Sequence, residues 1–214
     1  MRPSRRLEVL RVVVEKRLER LRMVVLGAQP KPIRRWEGDV CYVTLDLLNT
    51  WGNFARVFYL GCVFGAKTAG GVVIQSAQAF PSPNDAIGYV IGKWNQRATP
   101  LASGVWRRRD EPAWHVKNRL LDLAISLGFS NQATVAAALS LPSQSLDHLP
   151  TFRNFFAHRN DSTFKLAMTL SPGYGIYGVR KPSEVLMARG PRRPQPLIMD
   201  WIDEVSSVVE QLCL

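Results

Sequence analysis

Hydrophobic residues recur at every third or fourth position near the beginning of the chain, and polar residues fill the positions between them. The series is Leu7, Leu10, Val14, Leu18, Leu21 and Val25. This spacing places the apolar side chains on one face of an α-helix. It predicts a basic amphipathic helix over residues 4–26. A stiff connector follows at residues 29–33, because two prolines there restrict the backbone.

Helical periodicity continues through most of the chain. It predicts helices over residues 39–64, from Ser82 or Asn84 onward, and over residues 112–127, 131–141 and 197–212. Asp39, Asp110 and Ser130 are expected to cap three of them. Residues 72–74 are the one candidate strand, and no nearby segment is a convincing partner for it. The chain is therefore expected to be an all-α helical bundle, with an N-terminal helical arm at residues 1–28 and the bundle at 38–214. A flexible loop rich in Pro, Gly and Arg is expected at 171–196.

Residues 153–158 read R-N-F-F-A-H and carry the candidate chemistry. With about 100° per residue and Arg153 at zero, an apolar face spans about 200° to 300°. That face contains Phe152, Phe155, Phe156, Leu166 and Leu170. The opposite face, between about 0° and 140°, contains Arg153, Asn154, His158, Asp161 and Lys165. Arg159 falls among the apolar residues and is expected to extend its charged end into water.

Pro150 is expected to mark the start of this helix, with Ser145 or Asp147 as a cap, because proline is favoured at the first helical position. Arg153 would then lie near the first turn, where unpaired N–H groups favour an anion such as phosphate. A basic helix face that ends in a surface histidine is the simpler interpretation of the same residues.

The stretch R-N-F-F-A-H resembles the R-x4-H signature of HEPN domains (higher eukaryotes and prokaryotes nucleotide-binding), including the common form with Asn after Arg. The resemblance implies an all-α bundle that is usually dimeric, with the motif on a late helix. It also implies a metal-independent endoribonuclease, often a toxin or an antiviral effector. Arg153 and His158 would be the catalytic pair and Asn154 a supporting polar group. Asn160 stands where some HEPN toxins have a tyrosine that a partner nucleotidyltransferase modifies, so that control is not implied here.

Four polar residues form a stripe along the predicted second helix at i, i+3, i+7 and i+10: Asp46, Asn49, Asn53 and Arg56. The rest of that helix is apolar, and buried polar groups need partners. Two interpretations stay open. The stripe is either a polar seam between helices or a wall of an RNA site that faces Arg153 and His158.

The chain carries a net charge of +11, and its distribution is uneven. Residues 1–35 hold 11 Lys and Arg against three Glu, a net of +8. Such an excess favours nucleic acid. A solvated helix face that only aids solubility is the first alternative, and an acidic membrane surface is the less favoured one, so no membrane partner is expected. Beyond this region, the residues expected to contact nucleic acid are Arg107, Arg108, Arg109, Arg159, Lys165, Arg189, Arg192 and Arg193. The expected partners are RNA, a second copy of the chain, and an antitoxin or sensor protein.

Several other functions lack the patterns that they require. The stretch G-C-V-F-G-A-K-T at residues 61–68 departs from the phosphate-binding loop pattern. The three histidines lie far apart and no Cys-x2-Cys pair exists, so neither a metal site nor a cofactor is expected. No apolar run reaches 18 residues, so no membrane span is expected. Cys41, Cys62 and Cys213 are scattered and predict free thiols in a reducing cytoplasm.

Overall fold

The computed structural model describes residues 6–29, 33–190 and 193–214. Over these residues the protein is all-α, as the periodicity predicts. The helices are α1 (Leu7–Ala28), α2 (Ile33–Val63), α3 (Pro83–Trp94), α4 (Lys117–Ser126), α5 (Gln132–Leu139), α6 (Ser145–His158), α7 (Asp161–Met168), α8 (Pro182–Met187) and α9 (Leu197–Cys213). The candidate strand at 72–74 forms only an isolated bridge between Val73 and Lys67, so this part of the chain contains no sheet in the described residues.

Residue contacts divide the chain into two compact units. The first contains the described residues up to Val12, Gly52–Ser140 and Val209–Leu214. Tyr59 of α2 lies at its centre, with ring centroids 5.4 Å from Trp114 and 6.4 Å from Phe129. The Tyr59 hydroxyl donates a hydrogen bond of 2.9 Å to the carbonyl of Ala86 on α3. One buried aromatic side chain therefore joins α2, α3 and the two segments that carry Trp114 and Phe129.

The second unit contains Val13–Trp51 and, among the described residues, Leu141–Val208. Its aromatic core is built around Trp201 of α9, which is fully buried. The ring centroids of Phe152 on α6 and Tyr174 lie 5.4 Å and 5.8 Å from it. These contacts fix which face of α6 points inward and therefore which face carries the candidate motif.

Helix α6 begins at Ser145, not at Pro150, so the predicted start is wrong. Neither Ser145 nor Asp147 occupies the N-cap position, which is Gln144, without a side-chain hydrogen bond. The backbone N–H of Ser145 instead donates to Oε2 of Glu204 on α9 at 2.9 Å. A carboxylate from a distant helix thus takes the place of a local cap. Pro150 lies inside the helix, and the predicted anion site near Arg153 loses its basis because Arg153 lies beyond the first turn.

Helix α6 ends at His158, which corrects the expectation of one helix through Leu170. Arg159 adopts the left-handed conformation (φ 45°, ψ 41°) and donates its N–H to the carbonyl of Phe155 at 2.7 Å. Asn160 then caps α7, its side chain accepting a hydrogen bond from the N–H of Thr163 at 2.9 Å. Leu166 therefore does not extend the apolar face of α6 and is 57% exposed. Arg159 lies in the exposed turn after α6, so its side chain does not have to extend past apolar neighbours to reach water.

Three other predicted helix starts are displaced. Asp39 lies inside α2, which begins at Ile33, because the residues between them include good helix formers. Asp110 ends a short 3-10 turn, and α4 begins only at Lys117. The hydroxyl of Ser130 accepts from the backbone N–H of Gln75 at 2.9 Å instead of capping α5. The N-cap residues of α4 and α5 are Val116 and Asn131, and neither makes a side-chain capping bond.

Helix α1 buries all six apolar residues of the predicted series, from Leu7 to Val25. It contains five Lys and Arg against three Glu, so the helix itself has a net charge of +2. Most of the +8 of residues 1–35 belongs to the residues that flank it. Across the described parts of the chain, no helix combines the length and the hydropathy that a membrane span requires.

Candidate active site on helix α6

Helix α6 separates its apolar and polar side chains as the sequence predicts. Phe152 is fully buried and Phe156 is 6% exposed. Arg153, Asn154 and His158 are all exposed on the other side of the helix. The two phenylalanines hold the helix in place, so three polar side chains stand in water on a rigid support. A substrate has direct access to them.

The spacing within the motif determines what it can bind. Arg153 donates from Nη1 to Oδ1 of its neighbour Asn154 at 3.3 Å, a long and exposed hydrogen bond. Asn154 and His158 are four residues apart and therefore neighbours on the helix surface. Arg153 and His158 are separated by about 7.5 Å along the axis and about 140° around it. A long arginine side chain can span this separation, so both groups can reach one phosphate.

The backbone beyond His158 makes the end of the motif rigid. Among the described residues, Arg159 is the only non-glycine residue with a positive φ. Such a conformation costs free energy for a residue with a Cβ, and it often occurs at functional sites. The rings of Phe155 and Phe164, with centroids 6.1 Å apart, pack α6 against α7 behind this turn. His158 is thus the last residue of a supported helix. The negative end of the helix dipole there favours a cation.

The residues predicted to share the motif's face lie elsewhere. Asp161 and Lys165 belong to α7, whose axis is separate from that of α6. Both are exposed. Arg159 is exposed in the turn between the two helices. Lys165 and Arg159 therefore remain available to an anionic partner, although the helical angle that grouped Lys165 with His158 does not apply.

His148 and Tyr174 form a pair that sequence reasoning missed. Nδ1 of His148 and the Tyr174 hydroxyl are 2.5 Å apart, and their rings meet edge to face. Burial raises the pKa of Tyr174, so the phenol keeps its proton and can donate to the imidazole. The guanidinium carbon of Arg193 lies over the Tyr174 ring, 4.9 Å from the ring centroid. The glycine-rich sequence around Tyr174 gave no signal for this contact, which depends on chain segments far apart.

The polar stripe on α2 is engaged in ion pairs at both of its ends. In the second unit, Arg17 of α1 donates two hydrogen bonds to the carboxylate of Asp46, one of 2.9 Å from Nε. Asn49 is exposed in the same unit. In the first unit, Arg56 binds Glu111, and Oδ1 of Asn53 accepts a hydrogen bond of 3.2 Å from Arg108. These partners favour the polar-seam interpretation for Asp46 and Arg56. That the stripe forms a wall of an RNA site stays a prediction.

The basic residues expected to bind nucleic acid differ in their availability. Arg107 and Arg109 are exposed, whereas Arg108 donates to Glu111 at 2.6 Å. Of the tryptophans near this cluster, Trp114 is buried and Trp106 is half-buried. In the second unit, Arg189 donates to Gln29 at 3.0 Å.

Two further arginines of the 171–196 segment complete this group. Arg193 pairs with Asp200 at 3.2 Å and donates to the carbonyl of Tyr174 at 3.2 Å. Arg192 lies outside the described residues. The segment itself is partly ordered by a 3-10 turn at Ser171–Tyr174 and by α8. Arg189 and Arg193 therefore hold the fold together as well as contributing positive charge.

No group of three His, Cys, Asp or Glu side chains within the described ranges is positioned to hold a metal ion. Comparisons with protein families, with curated proteins and with solved structures gave no match. The exposed Arg153, Asn154 and His158 of α6 stay the candidate site that the sequence predicted.

Proposed function

We propose that this protein is a metal-independent endoribonuclease of the HEPN type, acting as a toxin or an antiviral-defence effector. The observation that carries the proposal is the joint exposure of Arg153, Asn154 and His158 on a helix whose other face is buried. The all-α fold is compatible with such a bundle. The excess of positive charge over the chain favours a polyanionic substrate.

In the proposed reaction a ribose 2′-hydroxyl attacks the neighbouring phosphorus, and the bond from phosphorus to the 5′-oxygen breaks. The products are a 2′,3′-cyclic phosphate and a free 5′-hydroxyl. His158 transfers a proton, either from the 2′-hydroxyl or to the leaving 5′-oxygen, because an imidazole nitrogen can accept a proton and the protonated ring can donate one. Arg153 stabilises the charge that develops on the phosphoryl oxygens. Asn154 supports the guanidinium of Arg153 through its side-chain oxygen.

One imidazole does not readily serve both ends of the breaking bond. A two-fold symmetric dimer with facing α6 helices would supply a second His158 and a second Arg153. Both chains would then present the same surface to each other. This is the physical argument for the proposed homodimer. An antitoxin or sensor protein that covers the same exposed face would restrain the enzyme.

The test is incubation of mixed single-stranded RNA with wild-type protein, His158→Ala and Arg153→Ala in the presence of EDTA. Arg97→Ala is the control, because it removes an exposed cation that belongs neither to the catalytic pair nor to the residues expected to bind nucleic acid. We expect wild type and the control to produce fragments with 2′,3′-cyclic phosphate ends, and both active-site variants to leave the RNA intact. Fragments with 5′-phosphate ends, or activity that disappears in EDTA, would overturn the proposed chemistry.

The second candidate is a helical module of the same type that binds nucleic acid or a partner protein without cleaving it. It is favoured by exposed cations away from α6, including Arg107 and the 74%-exposed Arg109. Binding by such a module should survive His158→Ala and should weaken steeply with salt. Intact RNA in the cleavage experiment, together with retained salt-dependent RNA binding by both proteins, would select this candidate.

A further inference from the structure

Tyr177 is 76% exposed, more than any other large hydrophobic or aromatic side chain among the described residues. It belongs to the sequence S-P-G-Y-G-I-Y-G at residues 171–178, in the second unit. The aromatic residue before it, Tyr174, is buried, as is Ile176. The chain thus points two large side chains inward and turns the third outward. An exposed tyrosine is a common anchor for recognition, because its rigid ring loses little conformational freedom on binding.

The turn that displays Tyr177 is firmly attached to the protein. The Ser171 hydroxyl donates to the carbonyl of Ile176, and the Ile176 N–H donates to the carbonyl of Ser171 at 3.1 Å. Gly175 and Gly178 have φ values of +66° and +73°, which residues with a Cβ rarely adopt. The two glycines therefore allow the tight path on both sides of the ring. A ring held on a closed and anchored turn is already positioned for a planar ligand.

The charge around this turn indicates the chemistry of the ligand. Residues 147–184 contain five Lys and Arg against three acidic residues, a net of +2, and the carboxylate of one of them, Glu184, accepts a hydrogen bond from the backbone N–H of Arg180 at 2.6 Å. Arg180 is exposed and lies three residues after Tyr177, so its Cα is within about 10 Å of that of the tyrosine. An aromatic face beside an arginine offers a stacking surface and a phosphate contact together. Unpaired nucleotides present both groups to a protein, whereas paired bases hide their faces in the duplex.

We propose that Tyr177 is a stacking subsite for one unpaired base of a bound nucleic-acid strand, and that Arg180 contacts a neighbouring phosphate. The subsite deepens the proposed function and rests on it, because it holds the strand that the residues of α6 cleave. Stacking needs only a base and does not need a 2′-hydroxyl. The subsite can therefore be tested on a strand that the proposed reaction cannot cut.

The experiment measures the affinity of the full chain for two fluorescein-labelled 12-nucleotide DNA strands by anisotropy. One carries adenine at every position and the other is abasic throughout. We expect Tyr177→Ala to weaken binding of the adenine strand by about 5- to 150-fold and to change binding of the abasic strand little. Tyr177→Trp should retain the affinity. Tyr42→Ala, which removes a 53%-exposed tyrosine of the same unit, is the matched control and should bind as wild type.

Arg180→Ala should weaken both strands alike and should reduce the slope of log affinity against log salt by about 0.7. Unchanged affinity in Tyr177→Ala, or an equal loss on both strands, would overturn the stacking subsite. Failure of the wild type to bind the adenine strand at low salt would also overturn it. A change of oligomeric state in Tyr177→Ala, with unchanged DNA affinity, would assign the ring to a protein contact instead. None of these results depends on RNA cleavage, so a failure of the stacking subsite can be distinguished from a failure of the proposed function.

Discussion

The guanidinium of Arg56 lies against the carboxylate of Glu111, with Nε–Oε2 of 2.6 Å and Nη2–Oε1 of 2.9 Å. Nη1 of Arg108 and Nε1 of Trp114 also donate to this carboxylate, at 2.6 Å and 2.8 Å. The Glu111 side chain is only 4% exposed. The buried carboxylate of Glu111 thus connects the segment before α4 to Arg56 of α2.

Removing this carboxylate should destabilise the protein strongly. Glu111→Ala leaves the mostly buried Arg56 and the indole N–H of Trp114 without their acceptor, and it removes one of two acceptors of the exposed Arg108. We expect the free energy of unfolding to fall by about 3 kcal/mol or more. Glu111→Gln should cost less, because the amide oxygen still accepts. Urea denaturation followed by circular dichroism measures both changes. Glu19→Ala is the control: its partner Arg22 and its own 63% exposure predict a change below about 0.5 kcal/mol.

Two glycines of α3 should respond to alanine in opposite directions. A Cβ at Gly88 would lie 2.5 Å from Nε1 of Trp106, so the indole would have to move. We expect Gly88→Ala to destabilise by about 1–3 kcal/mol. A Cβ at Gly92 meets nothing within 4 Å, and Gly92→Ala should stabilise by about 0.5–1 kcal/mol through helix propensity. Thermal unfolding, with tryptophan fluorescence as a second probe, compares them. Equal effects of the two substitutions would contradict the packing of Trp106.

Substitution of Arg159 separates backbone strain from charge. Arg159→Gly removes the Cβ at a left-handed position, and we expect the protein to gain about 1 kcal/mol of stability. Arg159→Ala removes the same charge but keeps the strained Cβ, so its stability should stay close to that of wild type. Both variants should weaken RNA binding equally if the guanidinium contacts phosphate. Chemical denaturation and a salt titration of RNA affinity provide the two measurements. A loss of stability in Arg159→Gly would contradict the strain argument.

The Cys62 thiol should make stability depend on alkaline pH. Its burial raises its pKa, whereas the unfolded chain releases that proton near pH 8.5. The stabilisation is therefore complete below about pH 8.5 and declines as pH rises, by about 1.4 kcal/mol per pH unit. Cys62→Ala should reduce this slope between pH 8.5 and 10 in a reducing buffer. Val57→Ala, a buried change on the same helix, should lower stability equally at every pH. Identical slopes in wild type and Cys62→Ala would be the contrary result.

Local periodicity was enough to predict most of the helices and the buried faces of α1 and α6. The apolar residues of α1 and the Phe152 and Phe156 face of α6 are buried as the 3.6-residue repeat requires. The same repeat placed Arg153, Asn154 and His158 on the outside. These features depend only on neighbours within one or two turns. The resemblance of the motif to HEPN domains and its catalytic role stay predictions.

Contacts between residues far apart in the chain decided the rest. The carboxylate of Glu204 sets the start of α6 from 59 residues away, so no local signal could replace the misleading Pro150. Glu111, His148 and Tyr174 are isolated polar residues in the sequence. Their hydrogen-bond partners come within reach only after the chain folds. Neither the end of a helix nor a buried polar pair produces a periodic pattern in the sequence. The sequence by itself therefore determined the all-α class and the exposed motif, and tertiary contacts determined where α6 begins and which polar side chains remain free to bind.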